Sequence, residues 1–200
     1  MAQYTKYSPG AKSIIIDWET SGSDFNGNSA DHFQGLAFGA IVVDNTTWDE
    51  IDSVYCEMQF DGTKYRWSDE AQKIHGLTRE YLATQNTREQ ACEKFMNLVL
   101  DHFSPNDNIM LGGHNRDFDE AFTLQLLNDF GLRLKFHHVK PDSSGLAFVL
   151  LGEYKSDVVF GLLAGVNRTG SHNALEDARA VATTFKTMKE VFALGVASLG

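Results

Sequence analysis

The chain has 200 residues, 42% hydrophobic and 22% charged, which is one domain's worth with an ordinary core. Seventeen Lys and Arg against 27 Asp and Glu give a net charge of −10, which argues against a protein that grips long nucleic acid by its backbone but not against one that touches a chain end. No apolar run approaches the roughly 18 residues of a membrane span, residues 1–13 lack the apolar core of a signal peptide, and Cys56 and Cys92 have no metal-ligand spacing, so no membrane is expected and the reducing cytoplasm is the expected location.

No repeat or low-complexity tract interrupts the chain. Residues 13–20 (SIIIDWET) read as a strand in which Ile15, Asp17 and Glu19 share one face and Ile14, Ile16 and Trp18 the other. A strand apolar on both faces belongs in the middle of a sheet. Acids at its end then either hold a metal ion, since buried charges are normally paired or coordinated, or leave the core and are solvated. A polar loop (21–32) leads to strands at 36–44 and 51–60, joined through a hairpin turn at 44–47. Short helices at 68–74 and 78–84 are broken at His75-Gly76, and 87–103 is a longer amphipathic helix with Thr87 as N-cap. A strand at 108–112, a helix at 115–130 with Phe118, Phe122 and Leu126 as its buried stripe, and a strand at 133–139 follow. Helical pieces at 146–151 and 158–164 precede a closing helix at 173–193, buried along Ala178, Val181, Phe185 and Met188. The order predicts an α/β fold, a mixed five-stranded sheet with helices on both sides.

Acids also open two of the helices. Asn115 is a natural N-cap, which puts Asp117 and Asp119 in the first turns; Asn173 with Glu176 resembles a capping box, with Asp177 just inside and His172 just outside. The positive end of the helix dipole keeps such carboxylates ionised, as a metal ligand must be, although acids are common at helix starts for that reason alone. Asp117 and Asp119 flank opposite edges of the apolar stripe, and periodicity does not choose between them.

Taken in order, 16–22 (IDWETSG), 73–78 (KIHGLT), 113–119 (GHNRDFD) and 172–178 (HNALEDA) resemble the motifs of the DEDDh, DnaQ-like 3′–5′ exonucleases, over about residues 13–190. The resemblance implies a single ribonuclease-H-like exonuclease domain spanning 1–200. It implies hydrolysis of nucleic acid from the 3′ end to nucleoside 5′-monophosphates with two Mg²⁺ or Mn²⁺ ions. By position, Asp17, Glu19, Asp119 and Asp177 would be the metal ligands and His172 the general base. Carboxylate oxygens suit those hard ions, and a histidine with an ordinary pKa near 6.5 can take a proton from water at neutral pH. Thr20, Ser21, His75 and Asn115 match positions bordering the 3′-terminal nucleotide, although His75 and Asn115 also suit a turn and a cap. Lying on the loop 168–171, His172 is expected to be able to move.

One departure concerns Ser23, where the family often has Leu or Met packed between the last bases; Phe25 is the candidate replacement. The expected partner is the 3′ end of a single strand, with DNA favoured slightly over RNA because Thr-Ser-Gly resembles the proofreading type. Nothing in the sequence points to a protein partner. An exoribonuclease, a phosphodiesterase for very short oligonucleotides and a non-catalytic binding module are the competing readings. The pair His137-His138 is expected on opposite faces of a strand, which argues against a joint metal site.

Overall fold

A computed structural model describes residues 11–24, 29–167, 170 and 172–197. Five strands form one sheet: β1 (Lys12–Thr20), β2 (Gly35–Asp44), β3 (Glu50–Glu57), β4 (Asn108–Gly112) and β5 (Lys135–Phe136), in the order β3-β2-β1-β4-β5. β2 is antiparallel to both β1 and β3, whereas β4 runs parallel to β1 and β5 parallel to β4. The helices are α1 (Ser29–His32), α2 (Asp69–His75), α3 (Arg79–Leu82), α4 (Arg88–His102), α5 (Arg116–Asp129), α6 (Ser143–Leu151), α7 (Ser156–Leu163) and α8 (Ala174–Ala197).

The alternation of β1 divides the core as the strand period requires. Ile14, Ile16 and Trp18 join Phe38, Phe95 and Phe122 in a cluster beneath α4 and α5. Ile15 joins Ile41 and Val43 beneath α8, whose Ala178, Val181, Phe185 and Met188 are all buried. Asp17 and Glu19 therefore leave the sheet on the α8 side, at the carboxyl end of its middle strand. This is where ligands bind in open α/β sheets.

Three local expectations change. β5 is far shorter than 133–139: it has only the register pairs Asn108↔Lys135 and Ile109↔Phe136. Beyond them His137 Nδ1 accepts from the Val139 amide at 3.0 Å, which turns the chain away from the sheet. As a result the rings of His137 and His138 lie side by side, 4.3 Å apart, and do not alternate across a strand. α6 starts earlier than 146 because Asp142 Oδ1 accepts from the Ser144 and Gly145 amides, a cap on the preceding turn. α1 lies inside the segment read as loop. The Thr87 cap is present, with Gln90 closing the reciprocal capping box. Cys56 and Cys92 are buried free thiols. No helix among the described residues is long and apolar enough to cross a membrane.

Candidate active site

The site is assembled at the end of β1 from three stretches of chain. Glu19 is 7% exposed and Asp17 half-buried. Asp17 faces Gly39 across the β1–β2 ladder. A β-carbon at Gly39 would stand 2.2 Å from the Leu175 backbone, so only glycine lets the first turn of α8 rest directly on the sheet here. That contact lowers Asp177 and His172 towards Glu19. One ligand atom from each of Glu19, His172 and Asp177 lies within 4.8 Å of the others. Asp177 is buried, and His172 Nδ1 is 3.9 Å from Asp177 Oδ2 while its Nε2 is 3.9 Å from Asp157 Oδ1.

The second stretch supplies Asp119 and separates it from Asp117. Asp119 is 2% exposed, and its Oδ1 accepts from the Trp18 amide at 3.1 Å. Its Oδ2 is buried and takes no hydrogen bond from any described residue. Burial raises its pKa well above 3.8; the Trp18 amide opposes that, and the charges of Asp142 and Glu19 add to it. Asp117 instead has an 86% exposed side chain that pairs with the Arg116 guanidinium, itself also bound to Glu120. Gly113 completes the pocket: a β-carbon there would lie 2.9 Å from Asp119 Oδ2 and 3.0 Å from the Ile16 carbonyl, filling the space the carboxylate faces.

The caps differ from expectation. Asn115 stands at the N-cap of α5 in the left-handed region (φ 61°, ψ 48°), and its exposed side chain makes no capping bond. Asp142 does that work, its Oδ2 accepting from the Arg116 amide at 2.9 Å while its Oδ1 caps α6. A single carboxylate thus holds the starts of two helices. Burial opposes its ionisation, but the bonds from Ser144, Gly145 and Arg116 prevail and its pKa is lowered. At α8, Asn173 Oδ1 accepts from the Leu175 and Glu176 amides, while the Glu176 carboxylate accepts from Arg179. His114 is a brace, bonded through Nδ1 to Ser143 and through Nε2 to the Tyr154 carbonyl.

Among the residues expected at the nucleotide, Thr20 is 8% exposed with its hydroxyl donating to the Gly22 carbonyl. Ser21 departs from its expected role: it is fully buried, its hydroxyl donating to the Arg66 carbonyl at 2.7 Å and accepting from the Gln34 amide. That side chain ties loops together and offers nothing to a ligand. His75 is 5% exposed and lies beside Thr20 and His172. The His172 amide donates to the Ile74 carbonyl at 3.1 Å. Ser23 is exposed, and Phe25 and residues 168, 169 and 171 lie outside the described residues.

The donor set fits a hard divalent cation. The cluster itself is Glu19, Asp177 and His172, mostly carboxylate and largely buried; Asp17 and Asp119 stand outside it, and Asp119 Oδ2 has no hydrogen bond among the described residues in a pocket that a β-carbon at 113 would fill. Buried like charges gathered this way are costly unless a cation joins them.

A mixed sheet in this order, flanked by helices and carrying acids at the end of its middle strand, defines a ribonuclease-H-like nuclease fold. The chain belongs to the exonuclease family: the RNase_T exonuclease model matches residues 14–185. No curated protein matches the chain. Among solved structures it is similar to the nuclease domain of 3′hExo, a DEDDh family member, bound to rAMP, with a TM-score of 0.66 and 15% identity over 90% of this chain and 92% of that one. It is similar to a 3′-exonuclease solved in 3′-end recognition of the histone mRNA stem-loop (TM-score 0.65, 16% identity, 90% and 82% covered). It also matches Escherichia coli exonuclease I in complex with a dT13 oligonucleotide (TM-score 0.69, 14% identity), covering 92% of this chain but 43% of that one. At these identities the likeness is one of fold.

Gly39, Asp142 and Gly113 were not singled out in the sequence. A glycine inside an otherwise apolar strand signals a close backbone approach, and an Asp one residue before Ser-Ser-Gly signals a cap; both signals stand in the chain.

Proposed function

We propose that this exonuclease removes nucleoside 5′-monophosphates from the 3′ end of single-stranded nucleic acid, with DNA slightly favoured, using two Mg²⁺ or Mn²⁺ ions. The observation that carries the reading is the buried convergence of Glu19, Asp177 and His172, with Asp119 turned to the same strand end through Trp18. Asp17, Glu19, Asp119 and Asp177 would hold the ions, which when bound supply Lewis-acid charge beside the scissile phosphate. His172, at the margin of the cluster with its side chain 27% exposed, takes the proton of the attacking water. Thr20 and Asn115 border the terminal nucleotide, Asn115 with an exposed side chain that no helix bond occupies, while the buried His75 supports Thr20 from within.

A time course on end-labelled single-stranded DNA, single-stranded RNA and dinucleotides, with Mg²⁺ or Mn²⁺ and with chelator, tests this. Stepwise shortening from the 3′ end, abolished by chelator, is expected. Faster cleavage of RNA transfers the assignment to an exoribonuclease, and activity confined to dinucleotides makes it a short-oligonucleotide phosphodiesterase. Activity that survives chelation overturns the reading. His172→Ala should lower turnover by about 10²-fold, the size of a general-base contribution, with little change in substrate affinity. An undiminished rate would remove His172 from the chemistry.

A further inference from the structure

α2 is held at both ends by the segments that build the site. At its start the Ser68 amide donates to the Ser21 carbonyl at 2.7 Å, immediately after Glu19 and Thr20. At its end the Ile74 carbonyl accepts from the His172 amide. His75, the last residue of the helix, directly follows Ile74, and its ring lies against the Thr20 backbone. Its Nδ1 accepts from the Leu77 amide at 3.0 Å, so the neutral ring carries its proton on Nε2. That nitrogen is buried and is directed at the Thr20 backbone, with no other partner among the described residues. The ring is walled by Trp67, 6.3 Å away and edge-on, whose other neighbours are Phe60 and the Arg79 guanidinium.

We propose that His75 is a positioning residue: its Nε2–H, directed at the Thr20 backbone, pins the end of α2, and the Ile74 carbonyl just before it, bonded to the His172 amide, thereby fixes where the His172 imidazole stands relative to Glu19 and Asp177. A turn needs only the Nδ1 acceptor. The second nitrogen adds a buried donor, which is costly unless it acts on a neighbour, and that neighbour is the backbone of the residue after Glu19. Burial holds the ring's pKa below its ordinary value, so the donor keeps one fixed direction at neutral pH. The inference rests on the reading of His172 as the general base.

Two isosteres separate the nitrogens. In His75→Asn the amide oxygen can take the place of Nδ1 and accept from Leu77; in His75→Gln the amide nitrogen can take the place of Nε2 and donate. His75→Phe keeps the ring and loses both. For each variant, kcat and KM on a single-stranded oligonucleotide, Mn²⁺ affinity without substrate, and amide hydrogen exchange of the segment around His172 are measured. With Asn and Phe, kcat should fall about 10–100-fold, the usual cost of losing a group that orients a functional residue. KM and Mn²⁺ affinity should stay within about twofold, and exchange at His172 should quicken. Gln should restore kcat to within about threefold and restore slow exchange.

Rescue by Asn and not by Gln would show that only the turn matters and would overturn the proposal, as would parent-like behaviour of all three variants. Parallel loss of Mn²⁺ affinity would overturn it too. Hydrogen exchange needs no turnover, so a parent protein that degrades none of the substrates refutes the proposed function while the anchoring of His172 by His75 is still decided.

Discussion

Asp117 and Asp119 have the same chemistry two residues apart, and burial alone separates them. Asp117 reaches solvent and Arg116; Asp119 turns inward to the Trp18 amide. Asp119→Ala should therefore abolish turnover while Asp117→Ala retains most of it, measured on one oligonucleotide under saturating Mn²⁺. Equal losses in two folded variants would refute the distinction. The same burial implies a stability effect with a definite sign. Above its ordinary 3.8 the unfolded carboxyl releases its proton while the raised native carboxyl retains it. Stability therefore falls as pH climbs from 3.8 to the native value, and stays reduced above it. In metal-free protein Asp119→Asn should raise Tm near pH 8 by at least about 2 °C, the shift that roughly 1 kcal/mol gives at this size, and by less near pH 4. Scanning calorimetry in chelator decides it, and an equal shift at both pH values would contradict the account. Adding Mn²⁺ near pH 8 should raise Tm of the parent more than that of the variant.

At the scale of elements, the placing of α8 on β2 depends on one missing side chain. Gly39→Ala puts a carbon 2.2 Å from main-chain atoms of Leu175, which cannot swing aside. The helix start must lift, at a cost of about 1–3 kcal/mol for overpacking, and carry Asp177 and His172 away from Glu19. An ångström of displacement is worth roughly 10²-fold in rate. The urea midpoint should fall and turnover should drop by about that factor, and an unimpaired variant would show that α8 is positioned by its apolar stripe alone. That stripe was readable in advance, as was β1, because both follow a simple period in local sequence. The acids and His172 stand where such periodic elements begin or end, but the choice of Asp119 over Asp117 and the roles given to these residues rest on the family resemblance. What stayed hidden depends on partners far along the chain. The cap of α5 comes from Asp142, 26 residues later, and Gly39 is needed because of Leu175. β5 ends where His137 accepts from the Val139 amide, and Ser21, expected at the nucleotide, is closed over by Arg66 and Gln34. Local pattern contains none of these.

For the molecule as a whole, charge governs grip. With 17 basic residues against 27 acidic ones, few phosphates can be neutralised, and the salt dependence of binding should be shallow because its slope scales with their number. The enzyme alone should act distributively, so excess unlabelled strand added during a reaction should stop shortening of bound strands almost at once. Continued degradation through tens of nucleotides under that trap would reveal a basic track built by the fold. The order of the chain also sets a timetable. Glu19 is synthesised well before Asp177, and the helix bearing Asp177 packs on Ile15 of β1 and on Ile41 and Val43 of β2. At about 5–20 residues per second on the ribosome, the interval between the two is on the order of 10–30 s. Throughout it the nascent chain lacks Asp177 and, until near its end, the proposed base His172. On the proposed reading, the nascent chain gains its complete nuclease site only when α8 emerges and docks.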